Sequence, residues 1–203
     1  LTLLFACTSL YGQTLHYDVI RNDKSMGQTV VKRILKGDEL TYHLNTKTEL
    51  RVIFLFDIEY DLKETFKNGK LISGTGFNTL NGSVQKETQM ALKEKFYELV
   101  IDGIRTEINE TSITESVSEI YFEEPHHSKK VFSAYFGRYL NFEKVGERQY
   151  SLTSPDGTNV YTYENGICTK VKVTRDFATF EFILKPESLL AVRNKQITGK
   201  TND

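Results

Sequence analysis

Asn-Gly occurs three times in this chain, at 68–69, 81–82 and 165–166, and Asp-Gly twice, at 102–103 and 156–157. Both dipeptides supply the positive φ angles that tight hairpin loops need. Asn22–Gly27 (NDKSMG) and Lys36–Glu39 (KGDE) add two more turn signals. A chain cut so often by hairpin turns, with little helical periodicity between them, folds most simply as an antiparallel meander. The expected fold class is mainly β. It is an antiparallel meander forming an open or half β-barrel, with one amphipathic helix, about residues 125–140, packed on it.

The residues between the turns suit strands. The chain has 11 Tyr and 13 Phe but only 3 Pro, and aromatic residues fit a pleated, half-buried surface. The run 50–62, LRVIFLFDIEYDL, alternates most strictly. Leu50, Val52, Phe54, Phe56, Ile58, Tyr60 and Leu62 share one face, and Arg51, Asp57, Glu59 and Asp61 stand on the other. Read as one strand of about 3.3 Å per residue, it would be about 43 Å long, which suits a large twisted sheet. Ile53 and Leu55 make its middle apolar on both faces, so a cover is expected there. The stretch 123–141 offers one. Pro125 suits a first helical turn, and Glu123 and Glu124 suit a helix N-terminus. Val131, Phe132, Tyr135, Phe136, Tyr139 and Leu140 then recur as one stripe.

Later strands are expected at 147–153, 158–164, 167–175 and 177–184. In the third, Ile167, Thr169, Val171 and Val173 form one face, and Cys168, Lys170 and Lys172 the face toward water. No repeat, low-complexity tract or long linker divides the 203 residues. One domain is expected at 13–186, followed at 187–203 by a short helix and a polar tail.

Residues 1–12 read differently. Leu1–Leu10 is apolar apart from Thr2, Thr8 and Ser9, too short to span a bilayer but of the length of a signal-peptide core. Cleavage after Gly12 would leave Gln13 first. Two other readings stand beside it: LFAC, ending at Cys7, as a lipidation site, and a native first strand. The expected location is therefore outside the cytoplasm, in the periplasm or at an outer membrane. With Cys7 removed or lipidated, Cys168 is alone, and no disulfide framework exists.

The net charge of −1 lacks the basic footprint of a nucleic-acid binder. Catalytic signals are few. His126 and His127 adjoin Glu123 and Glu124, but neighbours on a helix diverge by about 100° and rarely share a metal. The acids Asp57, Glu59 and Asp61 share a strand face, as polar faces commonly do. SGTGFN (73–78) and TGKT (198–201) lack the rest of a nucleotide-binding motif. Neither a cofactor nor a metal is expected, and an enzymatic role, a hydrolase using these His or acid residues, is the least supported reading.

Three stretches carry a family resemblance: SITESVSEIYFEEP with KKVFSAYFG, RQYSLTSPDGTNVYTYENGICTKVKV, and LHYDVIRNDKSMGQTVV. Together the chain resembles an uncharacterised family of exported bacterial proteins, a domain of unknown function common in the Bacteroidetes. Ser133–Phe136 is similar to a Ser-x-x-Tyr helix of a related exported family, which tends to carry an acid where this chain has Pro125-His126-His127. The resemblance implies an open antiparallel barrel with a helix against it, similar to lipoprotein carriers and to small lipoproteins of capsule export. It implies no catalytic residues. The leading expectation is a non-enzymatic cell-envelope protein binding an apolar or lipid ligand through Phe54, Phe56, Phe132, Tyr135, Phe136 and Tyr139. The alternative is an assembly protein of polysaccharide export with an envelope protein partner.

Overall fold

The turn residues act as their chemistry requires. Asn68, Asn81, Asp102 and Asn165 hold φ near +50°, each followed by a glycine with φ of 72° to 82°, the left-handed pair of a two-residue hairpin loop. Asn22 and Asp23 do the same without glycine. The computed structural model describes residues 10–51 and 55–191.

The first half of the chain forms β1 (Leu10–Arg21), β2 (Lys24–Lys36), β3 (Glu39–Arg51), β4 (Leu55–Lys67), β5 (Lys70–Leu80), β6 (Ser83–Leu92), β7 (Tyr97–Ile101) and β8 (Ile104–Ile108). The second half forms β9 (Lys130–Ser133), β10 (Arg138–Gly146), β11 (Gln149–Ser154), β12 (Gly157–Glu164), β13 (Ile167–Arg175) and β14 (Ala178–Leu184). All fourteen belong to one sheet, ordered β8-β7-β6-β5-β4-β3-β2-β1-β14-β13-β12-β11-β10-β9. Each half is an antiparallel meander, and the pairing of β1 with β14, Tyr17 opposite Leu184, joins them. The sheet is not closed: β8 and β9 do not pair.

The inward face follows strand alternation. Leu15, Tyr17 and Val19 are buried while His16 between them is exposed. The link from β8 to β9, residues 109–129, runs across the inside of the curved sheet. Its Ile113, Ile120, Tyr121 and Phe122 are buried. Tyr121 meets Tyr17 of β1 and Tyr161 of β12 edge-on, and Phe122 lies 5.9 Å from the Tyr42 ring of β3. Tyrosine hydroxyls fasten this plug. Tyr163 donates to the Ile120 carbonyl at 2.8 Å, and Tyr97 accepts from the Ile113 N–H at 3.0 Å. The plug also covers the β9 edge, where Val117 N–H donates to the Phe132 carbonyl.

The helix expected at 125–140 is absent. That stretch holds β9, a turn at 134–137 and β10, with Phe132 opposite Tyr139 and Val131 opposite Leu140. A hairpin pairs residues equidistant from its tip, and here that symmetry imitates a helical stripe. Gly137, at φ 63°, turns the chain. Helical geometry is confined, among the described residues, to a 3₁₀ turn at Glu119–Tyr121 and to 186–191, where the short helix after Pro186 was expected. The single strand expected over 50–62 is also absent. Leu50 pairs with Phe56 and Arg51 with Leu55, so the chain reverses within the apolar run.

Cys168 is a third correction: it is buried, not facing water. A register shift opposite Thr162 and Tyr163 pairs Lys170 with Thr162 but Cys168 with Tyr163, so Thr169 is an extra residue and alternation inverts there. Burial pushes the Cys168 thiol up to about 12, which leaves it protonated and unreactive. The leader expectation falls on residues 1–9, outside those described, and on Leu10–Gly12, which pair with Ile34–Lys36 at the start of β1.

Candidate functional site

One end of the curved sheet carries the β5–β6, β11–β12 and β13–β14 connections and the β9–β10 tip. A cavity of about 670 Å³ opens there, inside the roughly 300–1,000 Å³ range of small-ligand sites. Both halves of the sheet build it. Leu44, Ile58 and Leu62 come from the first half, Leu152, Val173 and Phe182 from the second. Val117 and Tyr121 of the plug form its floor. Alternation makes these positions inward-facing, and strand twist spreads them round a concave wall.

The β9–β10 tip forms the remaining wall. It can sit deep because its neighbours lack side chains: a Cβ on Gly74 would lie 2.6 Å from Ala134 Cβ, and one on Gly76 would lie 3.1 Å from the Tyr135 ring. Thr88 Oγ1 donates to the Tyr135 carbonyl at 2.8 Å, tying the tip to β6. Tyr135 packs edge-on against Tyr60, rings 5.0 Å apart. Burial raises the hydroxyl pKa of both tyrosines well above the usual range, so the wall is neutral at ordinary pH.

Beneath the tip lies a buried carboxyl. Glu64 Oε1 accepts the Ala134 N–H at 3.3 Å. Glu64 Oε2 and the hydroxyls of Ser116 and Ser118 are buried without a hydrogen-bond partner. Burial raises the Glu64 pKa, although the Ala134 N–H opposes the shift. Glu119, one turn along the plug, is pushed up to about 7, chiefly by burial, then by Glu123 and Glu115.

Of the six residues singled out from the sequence, Tyr135 and Phe136 line the cavity. Phe54 lies outside the described residues. Phe56 packs against the core from the first turn of β4. Phe132 and Tyr139 stack edge-on, and the Tyr139 hydroxyl donates to Glu110 at 2.9 Å; none of these three lines the cavity. The lining from Leu44, Leu152 and Val173 escaped the sequence, because inward alternation marks a core residue and a cavity residue alike.

The other polar candidates do not converge. His126 and His127 are exposed; His126 Nδ1 stands 3.7 Å from Glu124, whose carboxylate accepts the Tyr150 hydroxyl. Asp61 and Glu59 face outward in a cross-strand ladder: Asp61 bonds His43 at 2.7 Å and Asn45 at 2.9 Å, and Glu59 pairs with Lys47. Among the described residues no group of three or more His, Cys, Asp or Glu is placed to hold a metal ion. No described helix is long and apolar enough to cross a membrane.

A family model for a domain of unknown function, DUF6134, matches residues 17–185. The chain is also similar to the crystal structure of a β-barrel-like protein of the domain of unknown function DUF1849 from Brucella abortus. The TM-score is 0.50 at 10% identity, over 88% of this chain and 98% of that one. At that identity the likeness concerns the fold. No curated protein matches.

Proposed function

The chain belongs to the DUF6134 family, a domain of unknown function, and we propose that it is a non-enzymatic, exported cell-envelope protein that holds an apolar ligand inside its curved sheet. The observation that carries this reading is the cavity of about 670 Å³ whose walls come from both halves of the sheet, the plug and the β9–β10 tip. Apolar walls favour an acyl or similar ligand by about 0.8 kcal/mol for each buried methylene. The run Leu1–Leu10 supports export, with Cys7 as a lipid attachment site in the second version of that reading.

Filling the cavity tests this. Ile58 is half-buried, lines the cavity and lies beside its open end. Ile58→Trp directs a larger ring toward the cavity space, where it meets less packing than in a closed core. The wild-type protein is expected to take up the apolar fluorophore N-phenyl-1-naphthylamine with a blue-shifted emission. The variant is expected to lose at least about tenfold in affinity, equal to about two buried methylenes, at an unchanged melting temperature. Equal dye uptake by both proteins would count against the cavity as the binding site.

A second reading rests on a separate observation. Strand β8 has one unpaired edge among the described residues, and Ile104 on it is exposed. Such an edge can accept a strand from an envelope partner.

A further inference from the structure

The cavity mouth carries both signs of charge, and burial separates them. Lys86 of β6 and Arg175 at the end of β13 line the cavity and are half-buried; Asp156 and Asp176, also at the mouth, are exposed. Exposed carboxylates keep their water and act at high dielectric, whereas half-buried cations act more strongly on whatever enters. Neither cation belongs to an ion pair among the described residues.

Both cations converge on the β9–β10 tip. Lys86 Nζ lies 4.8 Å from the Tyr135 ring centre and 4.7 Å from that of Phe136. Around the Tyr135 hydroxyl, burial acts first, then the charges of Asp156 and Asp102, and Arg175 opposes them. It uses one nitrogen, Nη1, for its bonds to Asn159 Oδ1 at 3.0 Å and to the Thr174 carbonyl at 2.9 Å. Among the described residues its other guanidinium nitrogens make no hydrogen bond and can meet a bidentate partner. The Asn78 side-chain oxygen, on the same cavity, is buried and unpartnered. Two half-buried cations outside any described ion pair, above an apolar chamber whose exposed rim also carries Asp156 and Asp176, form the complement of an amphiphile.

We infer that the cavity takes a single-chain amphiphile with an anionic head, a carboxylate or a phosphate monoester, its chain between Leu44, Ile58 and Val173 and its head on Lys86 and Arg175. This rests on the apolar-ligand reading above and adds the chemistry of the head. The size agrees. An acyl chain of about 16 carbons, each taking ~30 Å³, the share of a liquid water, needs about 480 Å³, which the cavity of about 670 Å³ accommodates. Two such chains would exceed it.

Isothermal titration calorimetry with three probes of equal chain length tests the inference: dodecanoate, dodecyl phosphate and neutral 1-monododecanoylglycerol. Each is titrated into the wild-type protein, Lys86→Gln and Arg175→Gln, with folding of the variants checked by circular dichroism. The wild type is expected to bind at least one anionic probe at least about tenfold more tightly than the neutral one, the worth of one charge-assisted hydrogen bond. Each substitution is expected to remove most of that preference and to leave the neutral probe unchanged. In the wild type, raising NaCl from about 50 to about 500 mM is expected to weaken the anionic probes alone. That salt effect is read without any substitution. Tighter binding of dodecyl phosphate assigns the head to a phosphate, and tighter binding of dodecanoate to a carboxylate. Equal affinity for all three probes, indifferent to salt and to both substitutions, would overturn the anionic head and leave the apolar cavity standing. No binding of any probe would overturn both.

Discussion

Gly74→Leu is expected to lower the melting temperature by about 6–12 °C. The β9–β10 tip rests on the floor that β5 provides, and a Cβ at residue 74 would come within 2.6 Å of Ala134 Cβ. Both atoms are fixed to backbone, so neither can swing aside. A leucine must lift the tip, and with it the Ala134 N–H from Glu64 and the Tyr135 carbonyl from Thr88. Overpacking of this kind costs about 1–3 kcal/mol, and each strained buried hydrogen bond adds about 1 kcal/mol. At about 2–4 °C per kcal/mol for a domain of this size, the lower end of that sum, about 3 kcal/mol, gives the stated shift. Thermal unfolding followed by circular dichroism measures it. A change under about 1 °C would mean that the tip is not seated on β5.

Glu64 yields the second large effect, and its sign depends on the replacement. Burial raises its pKa, so the folded protein binds a proton that the unfolded chain releases at about pH 4.3. Stability contributed by that proton is present below the unfolded pKa and is lost as pH rises through the folded one. Glu119, pushed up to about 7, acts in the same direction. The urea midpoint is therefore expected to fall between pH 5 and pH 8 in the wild type, and to fall less in Glu64→Gln and in Glu119→Gln. Glutamine at 64 can still accept from Ala134 N–H while its amide donates to Ser116 or Ser118. Glu64→Leu leaves the buried Ala134 N–H without its acceptor, and is expected to cost about 1–3 kcal/mol at pH 5. Equal pH slopes in the wild type and both glutamine variants would place these carboxyls in water rather than under the tip.

What the sequence revealed, and what it hid, follows from the range of each interaction. Hairpin loops are local: Asn68-Gly69, Asn81-Gly82, Asp102-Gly103 and Asn165-Gly166 each set their own φ angles, while at the fifth pair the loop is Pro155-Asp156 and Gly157 begins β12. The meander and its antiparallel pairing follow from those turns. The β3–β4 reversal was hidden because Arg51 and Leu55 flank it with strand-forming residues and no turn chemistry. The β9–β10 hairpin was hidden because Phe132 with Tyr139 and Val131 with Leu140 are spaced like a helical stripe, although Gly137 was a readable warning. Cys168 was placed on the wrong face because a bulge leaves no mark on alternation.

The candidate site was legible only at its tip. Tyr135 and Phe136 drew attention as aromatic residues, and they line the cavity. The rest of the lining comes from strands in both halves of the chain, Leu44 and Ile58 from the first and Leu152 and Val173 from the second. No local pattern tells that such residues fail to meet. Glu64 was equally hidden: it sits between Leu62 and Phe66 on an inward face, where alternation alone would call for an apolar residue.

Native mass spectrometry of the full chain, purified from the producing cells without detergent exchange, tests the central claim most directly. The expected result is a fraction of the protein carrying one additional mass of a single-chain lipid, released on denaturation, and absent from Ile58→Trp. Bare polypeptide as the sole species, with no lipid in an organic extract of the same sample, would contradict an apolar receptacle inside this sheet.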